Sequence, residues 1–432
     1  MTTDSTQTLD NDHNVYVLGA GFSVDAGLPV IVNFMDRMRD AAAALEGDAG
    51  RDREVRAINR VLQFRLRASA AAYRIPLNAD NVEELFSLAA ASGDDTLAQD
   101  MIIAIAATLD YARAARESGH DRPFAVGRLR VGPWTAPRNW RIESPPGAGK
   151  DRSDTPIDWY SCPRYELYLG LMTGYFMPDQ GHQRNTLITF NYDTVMEDAL
   201  IDLGQAFSYR ASEKTNIAWR TTRNNGFHAA SARNSLRILK LHGSLNWIDG
   251  VQEDAPSLVS SYERSYQMEL DRLNTIVVLD DFATVRKRDG VPLLLAPTWQ
   301  KDFRGYLAPI WQDAVDSLKT ATRIIVIGYS APATDQHFKY LLAAGLQDNI
   351  SLRKVLFVDP ALGGADAEKS DLFLRMKGLF RAEHFDRGVI ECIPMRAGDF
   401  LTQTDIARNE LILARFVGRS MSQKFWASLI RI

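Results

Sequence analysis

Asn14-Val15-Tyr16-Val17-Leu18 runs directly into Gly19-Ala20-Gly21-Phe22-Ser23, and Gly27-Leu28-Pro29 follows. The first stretch is a short β-branched and aromatic run of the kind that forms a buried strand. After the glycines the pattern turns helical. A strand, a glycine turn and a helix start in that order make a phosphate cradle. The glycines let the backbone approach an anion closely, and the first helical N–H groups point at it. The dinucleotide fingerprint G-x-G-x-x-G is incomplete here, because its third glycine would fall at Val24. Taken alone, Gly19-x-Gly21 is equally a tight strand-to-helix turn, so the decision rests on the rest of the chain.

The composition is that of an ordinary globular protein, and 432 residues suggest two or three domains. No apolar run approaches the roughly eighteen residues that a membrane span needs. Residues 1–13 are polar and lack the apolar segment of a secretory leader, so they read as a disordered tail, and the expected location is cytoplasmic. Cys162 and Cys392, the only two cysteines, are far apart and outside any C-x-x-C. A disulfide framework is not expected, four-cysteine zinc binding is excluded on ligand count, and no metal site is expected. The net charge of −4 gives no support for nucleic-acid binding.

Residues 14–29 and 178–432 read as one α/β domain: a Rossmann-like parallel sheet with helices on both faces and a large helical insertion after the first strand. The insertion, residues 30–177, carries alanine- and arginine-rich helical patterns over Asn33–Leu45, Glu54–Tyr73, Val82–Ala91 and Leu97–Ser118, and no convincing strand. Its segment 131–162 is rich in proline, glycine and charge, and a loop of that length is functional or mobile. Within it, Pro145-Pro-Gly-Ala-Gly-Lys150 fails as a Walker A loop. Ser144 stands at its first glycine position, Asp151 follows the lysine, and no strand precedes it.

Further strands are expected at Thr186–Phe190, Leu236–Leu241, Thr275–Leu279, Pro292–Leu295, Arg323–Ile327 and Lys354–Val358, with helices at Asp302–Lys319 and Ala333–Leu346 between them. From Ala361 to Ile393 we expect helix and a last strand, then helical sequence. Apolar strands alternating with helices argue for a parallel sheet covered on both faces, where ligands bind at the carboxyl ends of the strands. Those ends carry Asn191-Tyr192-Asp193, His242-Gly243-Ser244, Ala296-Pro297-Thr298, Gly328-Tyr329-Ser330 with Asp335 beyond, and Asp359-Pro360. Each has a bland reading: turn and cap residues at Asn191, Asp193, Ser330 and Asp359, and a hydrogen-bonded loop histidine at His242. Their joint placement along one sheet edge favours a site.

The order of Gly19-Ala-Gly-Phe-Ser23 with Gly27-Leu-Pro29, Thr189-Phe-Asn-Tyr-Asp193, Lys240-Leu-His-Gly-Ser244 and Gly328-Tyr-Ser330 resembles that of sirtuin-like domains. It looks like the bacterial branch used in anti-phage defence to hydrolyse NAD. The resemblance implies that Gly19, Ala20, Gly21, Phe22 and Ser23, together with Gly328, Ser330 and Asp359, bind the dinucleotide. It implies that Asn191, Asp193 and His242 surround the nicotinamide ribose. Two departures stand out. Protein-deacylating sirtuins carry four zinc cysteines, and they have Asp-Phe-Arg where this chain has Val30-Ile-Val32. Both weaken deacylation and leave cleavage of NAD by water.

On that reading NAD+ is a consumed substrate and no recycled cofactor is needed. Asn191 positions water or the ribose hydroxyls, Asp193 orients the site, and His242 is the general base, its ordinary pKa of about 6.5 suiting neutral pH. An NAD-depleting enzyme has to be silent in a healthy cell. The expected partners are therefore a homo-oligomer, a separately encoded sensor or a phage component. A non-catalytic NAD- or nucleotide-binding regulator is the main alternative, and an NAD-dependent protein deacylase the weaker one.

Overall fold

A computed structural model describes residues 13–118, 127–130, 141–142, 159–162, 164–173, 184–209, 216–221, 236–250, 275–295, 307–331, 336–364 and 367–402. The strands in chain order are β1 (His13–Leu18), β2 (Gly127–Arg130), β3 (Arg141–Ile142), β4 (Trp159–Cys162), β5 (Arg184–Thr189), β6 (Phe207–Ser208), β7 (Asn216–Trp219), β8 (Leu236–Lys240), β9 (Trp247–Asp249), β10 (Thr275–Val278), β11 (Arg323–Ile327), β12 (Lys354–Val358) and β13 (Ile390–Ile393).

Seven of them form one sheet in the order β13-β12-β11-β1-β5-β8-β6, parallel at every pairing. β1 lies at its centre. Val15 is in register with Thr186 on one side and Ile324 on the other, and all six β1 residues are buried. The run Val15–Leu18 is apolar throughout because helices cover both faces of a sheet of this kind, and burial on both sides removes the usual alternation. On one side of β1 lie β5, β8 and, at the edge, β6; the chain reaches the edge strand β6 from β5 and returns to place β8 between them. It then crosses back to lay β11, β12 and β13 on the opposite side of β1. The reversal puts the topological switch point between β1 and β11, and the crevice outside the carboxyl ends of strands at such a point is where open α/β sheets bind ligands.

Between β1 and β5 lie the helices Phe34–Leu45, Asp52–Ala72, Val82–Ala91 and Asp95–Ser118, which pack on one another, and then Arg164–Thr173. These helices carry fully or nearly buried alanines, among them Ala41, Ala68, Ala104 and Ala107. Asn81 caps its helix by accepting from the Glu83 amide. Arg113 on the longest helix donates to Thr194 and pairs with Asp198 at 2.5 Å, which ties the insertion to the start of the helix Val195–Leu203.

Several expectations are corrected. His13 belongs to β1, not to a tail: its ring is buried between the hydroxyls of Thr186 (2.9 Å) and Thr320 (3.0 Å). The insertion holds a small antiparallel sheet, β2-β4-β3, whose strands of two to four residues are too short to produce a readable alternation. β10 does not join the main sheet but pairs with β7 and β9 in a separate three-stranded one. The segment Pro292–Leu295 makes only an isolated bridge, between Leu294 and Gly243, since proline brings no N–H to a ladder. Residues 1–12, Pro145–Lys150, Ala296–Thr298, Asp335 and the stretch after Thr402 fall outside the described residues.

Candidate active site

The glycine turn after β1 is built by the loop after β11. Gly19 N–H donates to Ile327 O (3.1 Å), and Gly21 N–H donates to Gly328 O (2.8 Å). Gly328 sits at φ +61°, and a Cβ there would lie 2.4 Å from the Phe22 nitrogen. A Cβ on Gly21 would in turn lie 2.8 Å from Gly328 Cα. These glycines are thus required by each other: the two loops at the switch point approach too closely for any side chain. Downstream of the turn the structure departs from the sequence reading. Ala20–Ala26 is a 3-10 helix closed by Gly27 in the left-handed region, and the first α-helix begins only at Phe34. The Phe22 N–H donates back to Gly19 O at 2.9 Å.

A second set of contacts holds this turn from behind. Phe22, expected among the ligand-binding residues, points into the core, where its ring meets Tyr165 edge-on at 5.6 Å. Tyr165 OH donates to Phe22 O (2.9 Å) and accepts from the Ala26 amide (3.0 Å). Tyr168 OH bonds Asp25 Oδ2 at 3.1 Å. Burial pushes the Tyr165 hydroxyl's pKa well up, so it remains a neutral donor.

The loop after β5 reaches across to the glycine turn. The Asn191 amide donates both hydrogens, one to Gly19 O (2.9 Å) and one to Ser23 Oγ (3.1 Å). Ser23 Oγ donates onward to Asp193 Oδ2 at 2.9 Å, and Asp193 Oδ1 accepts from the Val195 amide at 3.0 Å. Both carboxylate oxygens of Asp193 therefore have internal donors, while Asn191 Oδ1 has no donor among the described residues. Under this loop, fully buried Lys240 donates to the Asp193 carbonyl and pairs with Glu197 at 2.9 Å. Tyr209 OH donates to the same Glu197 oxygen. Burial raises the Glu197 pKa, and the Lys240 ammonium opposes that rise.

After β8 the chain turns sharply. Gly243 adopts φ +82°, where a Cβ would come within 1.9 Å of Leu293 O. His242 is 5% exposed, with its ring edge-on to Phe190 at 5.0 Å. Phe190 also stacks on Tyr329 at 4.5 Å. The amide of Leu245 bonds Tyr192 O at 2.9 Å, so the loops carrying Asn191 and His242 are joined directly.

Gly19, Ala20, Gly21, Ser23, Asn191, Asp193, His242, Gly328, Ser330 and Asp359 all line one cleft of about 630 Å³ at the switch point. That volume suits a small organic ligand. Asp359 also caps the turn after β12 by accepting from the Ala361 amide, and burial raises its pKa. Sequence reasoning missed the insertion's contribution to the wall, from Val82, Ile105 and Leu109, and missed Arg375 and Arg396, which also line the cleft. Neither arginine belongs to a motif, and both come from elements after β12 that carried no recognisable spacing. Among the described residues there is no group of three or more His, Cys, Asp or Glu placed to hold a metal ion, and no helix is long and apolar enough to cross a membrane.

A family model described as a SIR2-like domain matches residues 185–379. The match begins within β5 and so omits β1 and the glycine turn, which the sheet order returns to the centre of the same unit. No curated protein matches the chain. A structure from a study of the mechanism and regulation of Sir2 enzymes is similar at 12% identity, over 94% of this chain and 91% of that one, with a TM-score of 0.34. A variant Sir2 homologue solved with ADP-ribose is similar at 13% identity, over 98% and 100%, with a TM-score of 0.33. A Sir2 solved with an inhibitor, 2′-O-acetyl-ADP-ribose and a deacetylated peptide is similar at 11% identity, over 92% and 93%, with a TM-score of 0.30. Residues 185–379, which supply β5 to β12 of the described strands, are thus similar to a SIR2-like domain, and β1 with its glycine turn joins them in the same parallel sheet.

Proposed function

We propose that this protein hydrolyses NAD+ to nicotinamide and ADP-ribose, and that the resulting loss of NAD+ serves anti-phage defence. The observation that carries the reading is the hydrogen-bonded line Asn191–Ser23–Asp193, which lines the switch-point cleft together with buried His242. The SIR2-like match over residues 185–379 supports NAD+ as the substrate class.

The chemistry asks little of the protein beyond placement. The nicotinamide–ribose bond already carries a cationic leaving group, and its cleavage passes through an oxocarbenium-like state, as in glycoside hydrolysis. Asn191 Oδ1 holds the attacking water or a ribose hydroxyl. His242 takes the proton that the water gives up as its oxygen bonds C1′. Nicotinamide leaves with the electron pair of the broken bond. Asp193 holds Ser23, and through it the Asn191 amide, in a fixed orientation. Phe190 and Tyr329 exclude bulk water from this end of the cleft.

Val82, Ile105 and Leu109 form part of the cleft wall, and Arg113 grips the Thr194–Asp198 segment just after Asp193. Self-association or a sensor or phage partner acting on the helical insertion would therefore shift the site itself. On this account specific activity rises with protein concentration. A flat rate across a broad dilution series would remove self-association as the control.

The reading is tested by incubating the protein with NAD+ and no acylated peptide, and separating the products. Equimolar nicotinamide and ADP-ribose support it. Nicotinamide release that depends on an acylated peptide would point to deacylation, and binding without products to a regulator.

A further inference from the structure

The loop that sequence reading assigns to phosphate is largely engaged with the protein itself. Gly19, Gly21 and Phe22 direct their N–H groups at Ile327, Gly328 and Gly19 carbonyls, and no α-helix starts until Phe34. A dinucleotide brings two negative charges on its diphosphate, and a 2′-phosphorylated one brings more. Among the described residues lining the cleft, the permanent cations are Arg375 and Arg396.

Their placement is specific. Arg375 lies on the helix Asp371–Leu379, whose start is fixed by Ser370 Oγ accepting from the Phe373 amide at 3.2 Å. Its Nε donates to Ser330 O at 3.3 Å, which brings the guanidinium beside the loop after β11, and its other N–H groups have no acceptor among the described residues. Arg396 sits before the helix Ala397–Thr402, where its carbonyl accepts from the Phe400 amide. Neither arginine forms an ion pair among the described residues. Three of the cleft carboxylates have other donors: Asp193 those described above, Asp25 the Tyr168 hydroxyl and Asp359 the Ala361 amide; Glu83 lines the cleft as well. Two guanidiniums at one cleft, Arg375 half-buried and Arg396 exposed, neither with a counter-ion among the described residues, suit a phosphate group, because the planar fork matches phosphate oxygens and charge-assisted bonds are the strong ones.

We propose that Arg375 and Arg396 bind a phosphate group of the nucleotide, with the ligand's opposite end towards Asn191 and His242. The identity of the ligand rests on the function proposed above; the site itself does not. The experiment is calorimetric titration of the full chain, and of its Arg375→Gln/Arg396→Gln and Arg375→Lys/Arg396→Lys forms, with ADP-ribose, ADP-ribose 2′-phosphate, adenosine and inorganic pyrophosphate. Thermal melting checks that each form is folded. The glutamine pair should weaken ADP-ribose by roughly tenfold or more, the scale of one lost charged hydrogen bond. The lysine pair should weaken it less, and adenosine should be unaffected. A loss confined to ADP-ribose 2′-phosphate also supports the site and places the phosphate at the 2′ position. Unchanged affinity of a folded glutamine pair for both phosphorylated nucleotides overturns it, as does a wild-type protein that binds neither nucleotide nor pyrophosphate. Because binding is read without turnover, ADP-ribose binding by a protein that fails to cleave NAD+ would remove the hydrolase reading and leave the phosphate site standing.

Discussion

Ser23 Oγ donates to Asp193 Oδ2 across 2.9 Å, joining the turn after β1 to the loop after β5, 170 residues away in the chain. The same hydroxyl accepts from Asn191, so one buried oxygen fixes two of the proposed site residues. Ser23→Ala should leave a donor and an acceptor without partners and cost about 1–3 kcal/mol of stability. Turnover should fall by more than the small fraction unfolded accounts for. Denaturant titration paired with NAD+ cleavage by the folded fraction checks this.

Gly328 is held at φ +61° against the Phe22 nitrogen. Gly328→Ala should therefore push the two switch-point loops apart, lowering the melting temperature as well as nucleotide binding. Gly21→Val should behave the same way, because its side chain would meet Gly328 before it met a ligand. A substitution at either glycine that weakens ADP-ribose binding with an unchanged melting curve would contradict this packing role.

Lys240 and Glu197 form a buried pair beneath the Asn191–Asp193 loop. Removing one partner strands the other, so Lys240→Met should cost about 3–5 kcal/mol. Adding Glu197→Gln should recover much of that stability, since glutamine can still accept from Tyr209. It should not recover turnover, because the Asp193 carbonyl still lacks its lysine. Recovery of kcat together with stability in the double variant would mean that the pair has no part in positioning the loop.

His13 shows how little of the sheet's polar interior was legible beforehand. A histidine next to a polar terminus reads as tail, yet Thr186, Thr320 and β1 bury it, and nothing near His13 in sequence announces partners from β5 and the segment before β11. What could be read was local: apolar runs for β1, β11 and β12, and small polar residues at strand ends. What could not be read was non-local. The mutual approach of Gly21 and Gly328, the Tyr165 clamp on Phe22 and the arrival of Arg375 at Ser330 depend on residues tens to hundreds of positions apart. The strand β10 has the right composition for the main sheet and joins another, because composition carries no pairing partner.

Burial, with the nearby Arg184 and Arg237, pushes the His13 pKa down to about 3. The unfolded chain, with a pKa near 6.5, binds the proton first as pH falls, so His13 contributes its full stability above about pH 6.5 and loses it progressively towards about pH 3. Each unit of depression corresponds to about 1.4 kcal/mol, so the acid loss attributable to this residue should reach a few kcal/mol. The difference between the stability–pH curves of wild type and His13→Gln isolates it from other groups. Parallel curves over that window would show that His13 is not buried in its neutral form.

On the proposed function, His242 and Asn191 act together on NAD+ at the switch-point cleft. The most direct measurement is nicotinamide release from NAD+ by wild type and by His242→Ala, at matched high protein concentration and with folding verified for each. Wild type should release nicotinamide, and losing the general base should lower the rate by roughly a hundredfold or more. A folded His242→Ala protein with turnover near wild type would contradict it.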